Sequence, residues 1–407
     1  MSSATNPRSA IPSVDVSRPE LFRDDAWRPL FARLRAEDPV HYCEDSRFGP
    51  YWSVTRYDDI YAIDADPLRF SSSYTRGGVT IADNPNPTMI TMDAPEHTAK
   101  RKAVTPVVAP KNLLRFEGLI RDRVRSVLDN LPVDEEFNWV ERVSIELTSM
   151  MLATLFGHDI GDRRRLVYWS DVIAADLDDP DSPIRTEEQR MAVVGEFHAM
   201  VNEAVERARH EEPRFDVVSL LAHSDVFANA SPLEMTTTFS VLLVGGNDTT
   251  RNTMSGGLWG LSQNPGQVEL LRQRPQLVTN AIAEMIRFQT PVIAMRRTAT
   301  QDIDLHGRHI REGEKVVMWY ISGNRDESIF ADPDRLCVDR ENARQHVSFG
   351  MGPHRCLGSR LAELQLRILW EEILARNINF EVLAPPTYAY SAFVRTITAL
   401  PVRMSAG

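Results

Sequence analysis

The sequence predicts a mostly α-helical α+β fold. Three observations carry that prediction: helical patterning runs almost without interruption from about Pro110 to Arg287, one capped run within that stretch is long enough to cross a molecule, and strand patterns are confined to the flanks. On the N-terminal flank, from about Glu20 to Ile63, helix signals alternate with a strand candidate at Tyr51 to Thr55. On the C-terminal flank, Ile303 to Tyr320 reads as a hairpin, with His306-Gly307 near one turn and Val316 to Tyr320 as a strand.

The long run begins at Ser231-Pro232-Leu233-Glu234, which offers a capping hydroxyl, a proline at the first helical position and a glutamate three residues after the cap. It continues to about Gln263, where Asn264-Pro265-Gly266 stops it, so it spans roughly 33 residues or about 50 Å. Inside it lies Val244-Gly245-Gly246-Asn247-Asp248-Thr249-Thr250. Glycines and β-branched alcohols are poor helix formers, each glycine costing up to about 1 kcal/mol relative to alanine. A local rule broken at mid-helix marks either a close helix crossing over Gly245-Gly246 or a functional site, and the helix alone leaves both open.

The chain has 407 residues, 43% hydrophobic and 25% charged, enough to bury a large core without crosslinks. Length alone would allow two or three units of about 150 residues. No fixed-period repeat, low-complexity run or Gly/Ser linker divides it, so one domain over residues 1–407 is expected. Three cysteines, Cys43, Cys337 and Cys356, are too few for a disulfide framework, and an odd number leaves one unpaired. Met1 to Val14 is polar and interrupted by Pro7 and Pro12, unlike a secretory signal, and no stretch reaches the roughly 18 apolar residues of a membrane span. A cytoplasmic protein is expected. The net charge of -11 argues against nucleic acid as a partner.

The most specific segment is Phe349-Gly350-Met351-Gly352-Pro353-His354-Arg355-Cys356-Leu357-Gly358, followed directly by an amphipathic helix pattern from Ser359 to Arg376. Early glycines permit a tight turn and close approach of backbone to a flat cofactor. Free N–H groups at the following helix start can donate to the sulfur and, with the helix dipole, favour its thiolate form. A buried inert thiol, or a zinc site from Cys337, His346, His354 and Cys356, would be the alternatives. The zinc spacing fits none of the usual ligand pairs, and the Cys-x-x-Cys-His of covalent heme is absent.

This segment resembles the cysteine loop of the cytochrome P-450 superfamily, Phe-x-x-Gly-x-His-x-Cys-x-Gly, at every fixed position. The resemblance implies the cytochrome P-450 fold, a large helical lobe around a long central helix with a small β-rich lobe. It also implies heme b held through the thiolate of Cys356, with Phe349 and Gly358 lining the cofactor. Other landmarks follow in order. Glu284-Met285-Ile286-Arg287 resembles the Glu-x-x-Arg signature, and Pro333-Asp334-Arg335 resembles the later segment whose arginine joins it, so Glu284, Arg287 and Arg335 are expected to form a buried network bracing the cysteine loop. Leu336 departs from the aromatic residue often found there. His97 and Arg101, one helical turn apart after Asp93-Ala94-Pro95-Glu96, are expected with Arg297 and His354 to bind the heme propionates.

The resemblance further implies a monooxygenase. Gly245 and Gly246 leave room for dioxygen, Thr249 hydrogen-bonds it, and Asp248 relays protons from solvent; that intact pair argues against both the peroxide-using branch and a heme protein without turnover. The chain lacks a Gly-x-Gly-x-x-Gly dinucleotide fingerprint and an iron–sulfur cysteine cluster. Electrons from NAD(P)H are therefore expected through a separate reductase and a 2Fe-2S ferredoxin. Lys100, Arg101, Lys102, Arg344, Arg355 and Arg360 would steer this acidic partner to a monomeric enzyme. The segments Val244–Asn252, Gln289–Arg297 and Trp319–Asp326 resemble the bacterial branch that hydroxylates terminal carbons of medium-chain alkanes and fatty acids. Val244, Val292, Ile293 and Phe393, at the family's pocket positions, are apolar, as a hydrocarbon requires. A terpenoid, steroid or aromatic substrate would be served by the same lining.

Overall fold

A computed structural model describes residue 11 and residues 13–406. Most of the segment read above as lacking a secretory signal lies outside the described residues. The central helix is Pro232–Ser262, 31 residues long, and Ser231 caps it by accepting the Glu234 N–H at 3.1 Å. The cap and the proline fixed its start to the residue, because both act only at the first turn.

Around it pack Pro110–Asp129, Ile145–Phe156, Arg163–Ala174, Glu187–Arg209, Val278–Gln289 and Ser359–Ala375. The stretch from Pro110 to Arg287 is mostly helical as expected, interrupted by the short strand Glu136–Asn138 and by the loops that join the helices. Pro110–Asp129 shows how patterning becomes packing: Phe116, Ile120, Val124 and Leu128 recur every four residues or so, and all are buried against the core. The central helix lies close against Val278–Gln289, where a β-carbon added at Gly257 would sit 2.9 Å from Met285 Sδ.

The β-rich part is a five-stranded sheet in the order Val40–Cys43, Tyr51–Val54, Lys315–Met318, Met295–Ala299 and Phe70–Ser71. Only the Tyr51–Val54 and Lys315–Met318 pair is parallel. Ile303–Leu305 and Arg308–Ile310 form the expected hairpin, turning at His306 and Gly307, both with positive φ. The strand expected at Val316 to Tyr320 ends at Met318 and joins the larger sheet instead of the hairpin; Tyr320 opens a short helical turn, Tyr320–Gly323. Trp27, Phe31 and Trp319 seal this part of the molecule, with Phe31 and Trp319 ring centroids 5.3 Å apart. Among the described residues no helix is long and apolar enough to cross a membrane.

Candidate active site

The cysteine loop turns twice through left-handed backbone, at Gly350 (φ 66°) and Gly352 (φ 62°), which only glycine adopts without strain. Gly352 also lies against the end of helix Tyr57–Asp64; an added β-carbon would meet the Asp64 carbonyl oxygen at 2.7 Å. The Cys356 N–H donates to the Phe349 carbonyl at 2.7 Å, closing the loop just before Ser359–Ala375 begins. The protein packed around the Cys356 thiol pushes its pKa up, while the Gly358 N–H, the Arg101 and Arg355 guanidiniums and the Ser359 N–H pull it down. The side chain itself is exposed on the open side of the loop, so the sulfur is free to take one further partner, and a bound iron would hold it as the thiolate. Cys43 is buried and Cys337 only partly exposed, and among the described residues no three His, Cys, Asp or Glu side chains gather as a metal site.

Beside the loop lies a set of donors short of acceptors. The His97 and His354 rings stack with centroids 3.9 Å apart, and buried His97 Nε2 and His354 Nδ1 have no hydrogen-bond partner. Burial pushes His354 down to about 2, helped by Arg297, His97 and Arg101; burial and Arg101 also lower His97, against the pull of Asp93. Two neutral imidazoles with idle nitrogens beside two guanidiniums suit an anionic ligand such as a carboxylate. Arg297, half of that cationic pair, donates Nη2 to Asp64 at 2.6 Å and Nη1 to the Arg296 carbonyl at 2.8 Å. Arg101 donates to the Arg355 carbonyl at 2.5 Å. A β-carbon at Gly358 would meet nothing within 4 Å, so the face next to the sulfur is open. These residues fit a heme: a thiolate donor, an open face beside it and unsatisfied donors for its carboxylates.

The bracing network is present, with one change of membership. Glu284 and Arg287, both fully buried, pair in two bonds of 2.7 and 2.8 Å. The second arginine on Glu284 is Arg340, at 3.0 and 3.1 Å, not Arg335. Arg335 contributes its backbone carbonyl, which accepts from Arg287 at 3.2 Å and Arg340 at 3.0 Å, while its side chain is exposed. The turn around Asp332 points that side chain outward and brings Arg340 back over the acid. Leu336, in place of an aromatic, is fully buried in the helical core. From this network Ser348 bonds the Ile286 carbonyl, and Asn324 bonds both Ser348 and the Val347 N–H, so the brace reaches the loop.

On the central helix the two glycines differ. Gly245 faces open space, whereas a β-carbon at Gly246 would sit 3.1 Å from Leu152, so Gly246 serves a helix crossing and only Gly245 leaves room for a ligand. Thr249 Oγ1, exposed, donates to the Gly245 carbonyl at 2.7 Å and so presents its lone pairs outward. Asp248 is buried and points elsewhere: it accepts from Arg251 at 2.8 Å, Asn247 at 3.0 Å and Ser170 at 3.4 Å. Burial raises its carboxyl to about 6 despite Arg251, with Asp171 adding to the rise. Arg251 also bonds Asp171 at 3.0 Å, and Asp171 is 41% exposed, so a chain of charged groups links the buried acid to solvent. Asp64, Asp171, Arg251 and Arg340 carry no motif of their own, and only the tertiary fold reveals their partners.

Of the pocket positions, Val244, Val292 and Phe393 are half-buried. Ile293 is not available to a ligand: it is fully buried with Trp319 and Ile321, because its N–H bonds the Phe393 carbonyl and its side chain falls on the core side of the strand-like segment. The exposed basic patch is smaller by two members. Lys100 is buried and pairs with Glu96 and Glu234, and Arg101 is half-buried against the Arg355 carbonyl, leaving Lys102, Arg344, Arg355 and Arg360 exposed. Arg344 and Arg360 line a surface cleft of about 310 Å³ together with Leu113, Leu114 and Leu364.

A cysteine loop opening a helix, a long central helix with a glycine-opened turn, and a small mixed sheet define a heme-thiolate oxygenase. The chain belongs to the cytochrome P450 family and is a monooxygenase: residues 268–389 match the family's model, and the following relatives align nearly end to end. Linalool 8-monooxygenase from Pseudomonas putida is 38% identical over 95% of this chain and 98% of that protein. A methyl-branched lipid omega-hydroxylase from Mycobacterium tuberculosis is 32% identical over 94% of this chain and 92% of its own length. The structure of cytochrome P450-153 from Novosphingobium aromaticivorans superposes with a TM-score of 0.89 at 42% identity, covering 96% of this chain and 99% of that one. The reduced protein with carbon monoxide is expected to give the red-shifted Soret band of a thiolate-ligated heme, and Cys356→Ala to lose it. A histidine-type spectrum in the unaltered protein would contradict Cys356 as the ligand.

Proposed function

We propose that the protein hydroxylates the terminal carbon of medium-chain alkanes or fatty acids, as a single heme domain over residues 1–407. Its electrons come from NAD(P)H through a separate reductase and a 2Fe-2S ferredoxin. The observation that carries the oxygenase chemistry is the pairing, on one turn of the central helix, of an opened face at Gly245 and Thr249 with a buried acid tied to solvent at Asp248. The family relationship to a methyl-branched lipid omega-hydroxylase supports the terminal position and the lipid class.

Heme bound through Cys356, His97, Arg101, Arg297 and His354 supplies oxygen activation and transfer to a C–H bond. The chain's own residues do the rest. Thr249, its hydroxyl hydrogen committed to the Gly245 carbonyl, is left to accept a hydrogen bond from a water or another O–H donor on the open side of the helix. Asp248, with a carboxyl near 6, is protonated part of the time at neutral pH and can release that proton when it turns from Arg251 toward the open face at Gly245. Arg251 stays charged and does not pass the proton itself; it bridges Asp248 and Asp171 at once, so Asp248 can turn away without leaving the guanidinium unpaired. Val244, Val292 and Phe393 exclude water and guide an apolar chain. Lys102, Arg344, Arg355 and Arg360 give the cysteine side a positive face despite the net charge of -11, which suits an acidic ferredoxin.

A terpenoid substrate is the second reading, favoured by the 38% identity to linalool 8-monooxygenase. Products from octane, decanoate and linalool, chromatographed under equal electron supply, separate the two. Terminal alcohols from the linear chains support the first reading; turnover of linalool far above both, or mostly subterminal products, would reject it. Shape decides position, since one methylene is worth only about 1 to 3 kcal/mol in an apolar pocket. Val292→Phe is accordingly expected to shorten the preferred chain and Phe393→Ala to shift oxidation inward.

A further inference from the structure

Asp64 ends helix Tyr57–Asp64, a poor place for an acid because the helix carbonyls already put partial negative charge there. It is nonetheless almost fully buried, its side chain 1% exposed. Three donors hold it: Arg297 Nη2 at 2.6 Å on one oxygen, and the Tyr320 hydroxyl and the Met351 N–H, both at 2.7 Å, on the other. A loop brace alone would need only a neutral acceptor such as an amide. The charge is matched to Arg297, 233 residues away, which stands among the donors left short of acceptors at His97 and His354.

We propose that Asp64 is a positioning residue that shares the Arg297 guanidinium with the heme carboxylate and so lowers the reduction potential of the bound iron. This rests on the heme-site reading above. With Arg297 divided between two carboxylates, less positive charge is left to offset the negative charge beside the cofactor. In a buried site that charge is screened less than in water and favours the oxidised, more positive iron. Tyr320 tunes the effect, because its hydroxyl neutralises part of Asp64; its own ionisation is pushed well up by burial and by Asp64, so it stays a donor.

The test is a spectroelectrochemical titration of the substrate-free holoprotein. Asp64→Asn keeps shape and loses charge, and its potential is expected to be more positive than the parent's. Tyr320→Phe leaves Asp64 less neutralised, and its potential is expected to be more negative. A merely structural brace would move both in one direction or neither. No shift in Asp64→Asn, or shifts of the same sign in both, overturns the proposal. If Asp64→Asn fails to retain heme, Tyr320→Phe decides alone: a lower potential supports the proposal, and an unchanged or higher one overturns it. Failure of the heme-thiolate reading itself would appear separately, as a missing red-shifted carbon monoxide band in the unaltered protein.

Discussion

Glu284→Ala is expected to destabilise the protein by about 3–5 kcal/mol, the cost of leaving buried charge without its partner. Two guanidiniums would be stranded, because Arg287 is fully buried and Arg340 is mostly so. The Cys337 N–H would also lose its acceptor at 2.9 Å. A domain is held together by only about 5–15 kcal/mol, so much of the molecule's margin would go. The damage should be felt first at the cysteine loop, since Arg287 also bonds the Asn324 and Pro333 carbonyls at 2.8 Å and Asn324 anchors Val347 and Ser348. Urea unfolding and heme content per chain measure both effects. Arg340→Ala should follow in severity, and Arg335→Ala should lie within about 0.5 kcal/mol of the parent, because its side chain is exposed and its carbonyl survives the change. The reverse order, with Arg335 critical and Arg340 neutral, would refute this arrangement of the network.

That pair of arginines shows what the sequence could and could not disclose. Glu284 and Arg287 sit three apart on one helix, a spacing that fixes their contact. Arg335 and Arg340 lie in an irregular segment where backbone turns, invisible as a pattern, decide which side chain returns to the acid. The central helix was readable because a serine cap, a proline and a stop act locally, each within one turn. Whether Gly245 or Gly246 faces a ligand depends on about 100° of rotation about that helix, and residue type alone does not set it. Val292 and Ile293 repeat the lesson in extended chain, where neighbouring residues face opposite sides and an error of one exchanges pocket for core. Lys100 looked like surface charge until Glu234, 134 residues on, folded against it. Asp64 had no signature at all; its meaning comes from Arg297 and Met351, which only the tertiary fold brings to it.

Asp248→Asn is expected to slow hydroxylation about a hundredfold, the usual scale for losing a positioned proton donor, with an enlarged solvent isotope effect on product formation. The same substitution has a stability signature of defined sign. The Asp248 carboxyl is raised to about 6 in the folded protein, chiefly by burial, against about 3.9 for an unfolded aspartate. The native state therefore holds the proton more tightly. The stability this confers is fully present below about pH 4 and is lost as pH rises through about 6. Asparagine does not titrate, so the variant's thermal stability relative to the parent should improve between pH 4 and 6 and then level off. The improvement should be on the order of 2 to 3 kcal/mol. Arg251 keeps Asp171 as a partner at 3.0 Å, so its charge is not stranded by the change. Unfolding midpoints of parent and variant from pH 4 to 8, with turnover measured on the same preparations, test both halves. A variant destabilised equally at every pH would mean that the 2.8 Å bond to Arg251 outweighs the cost of burying the acid. Unchanged turnover would remove Asp248 from proton delivery whatever its effect on stability.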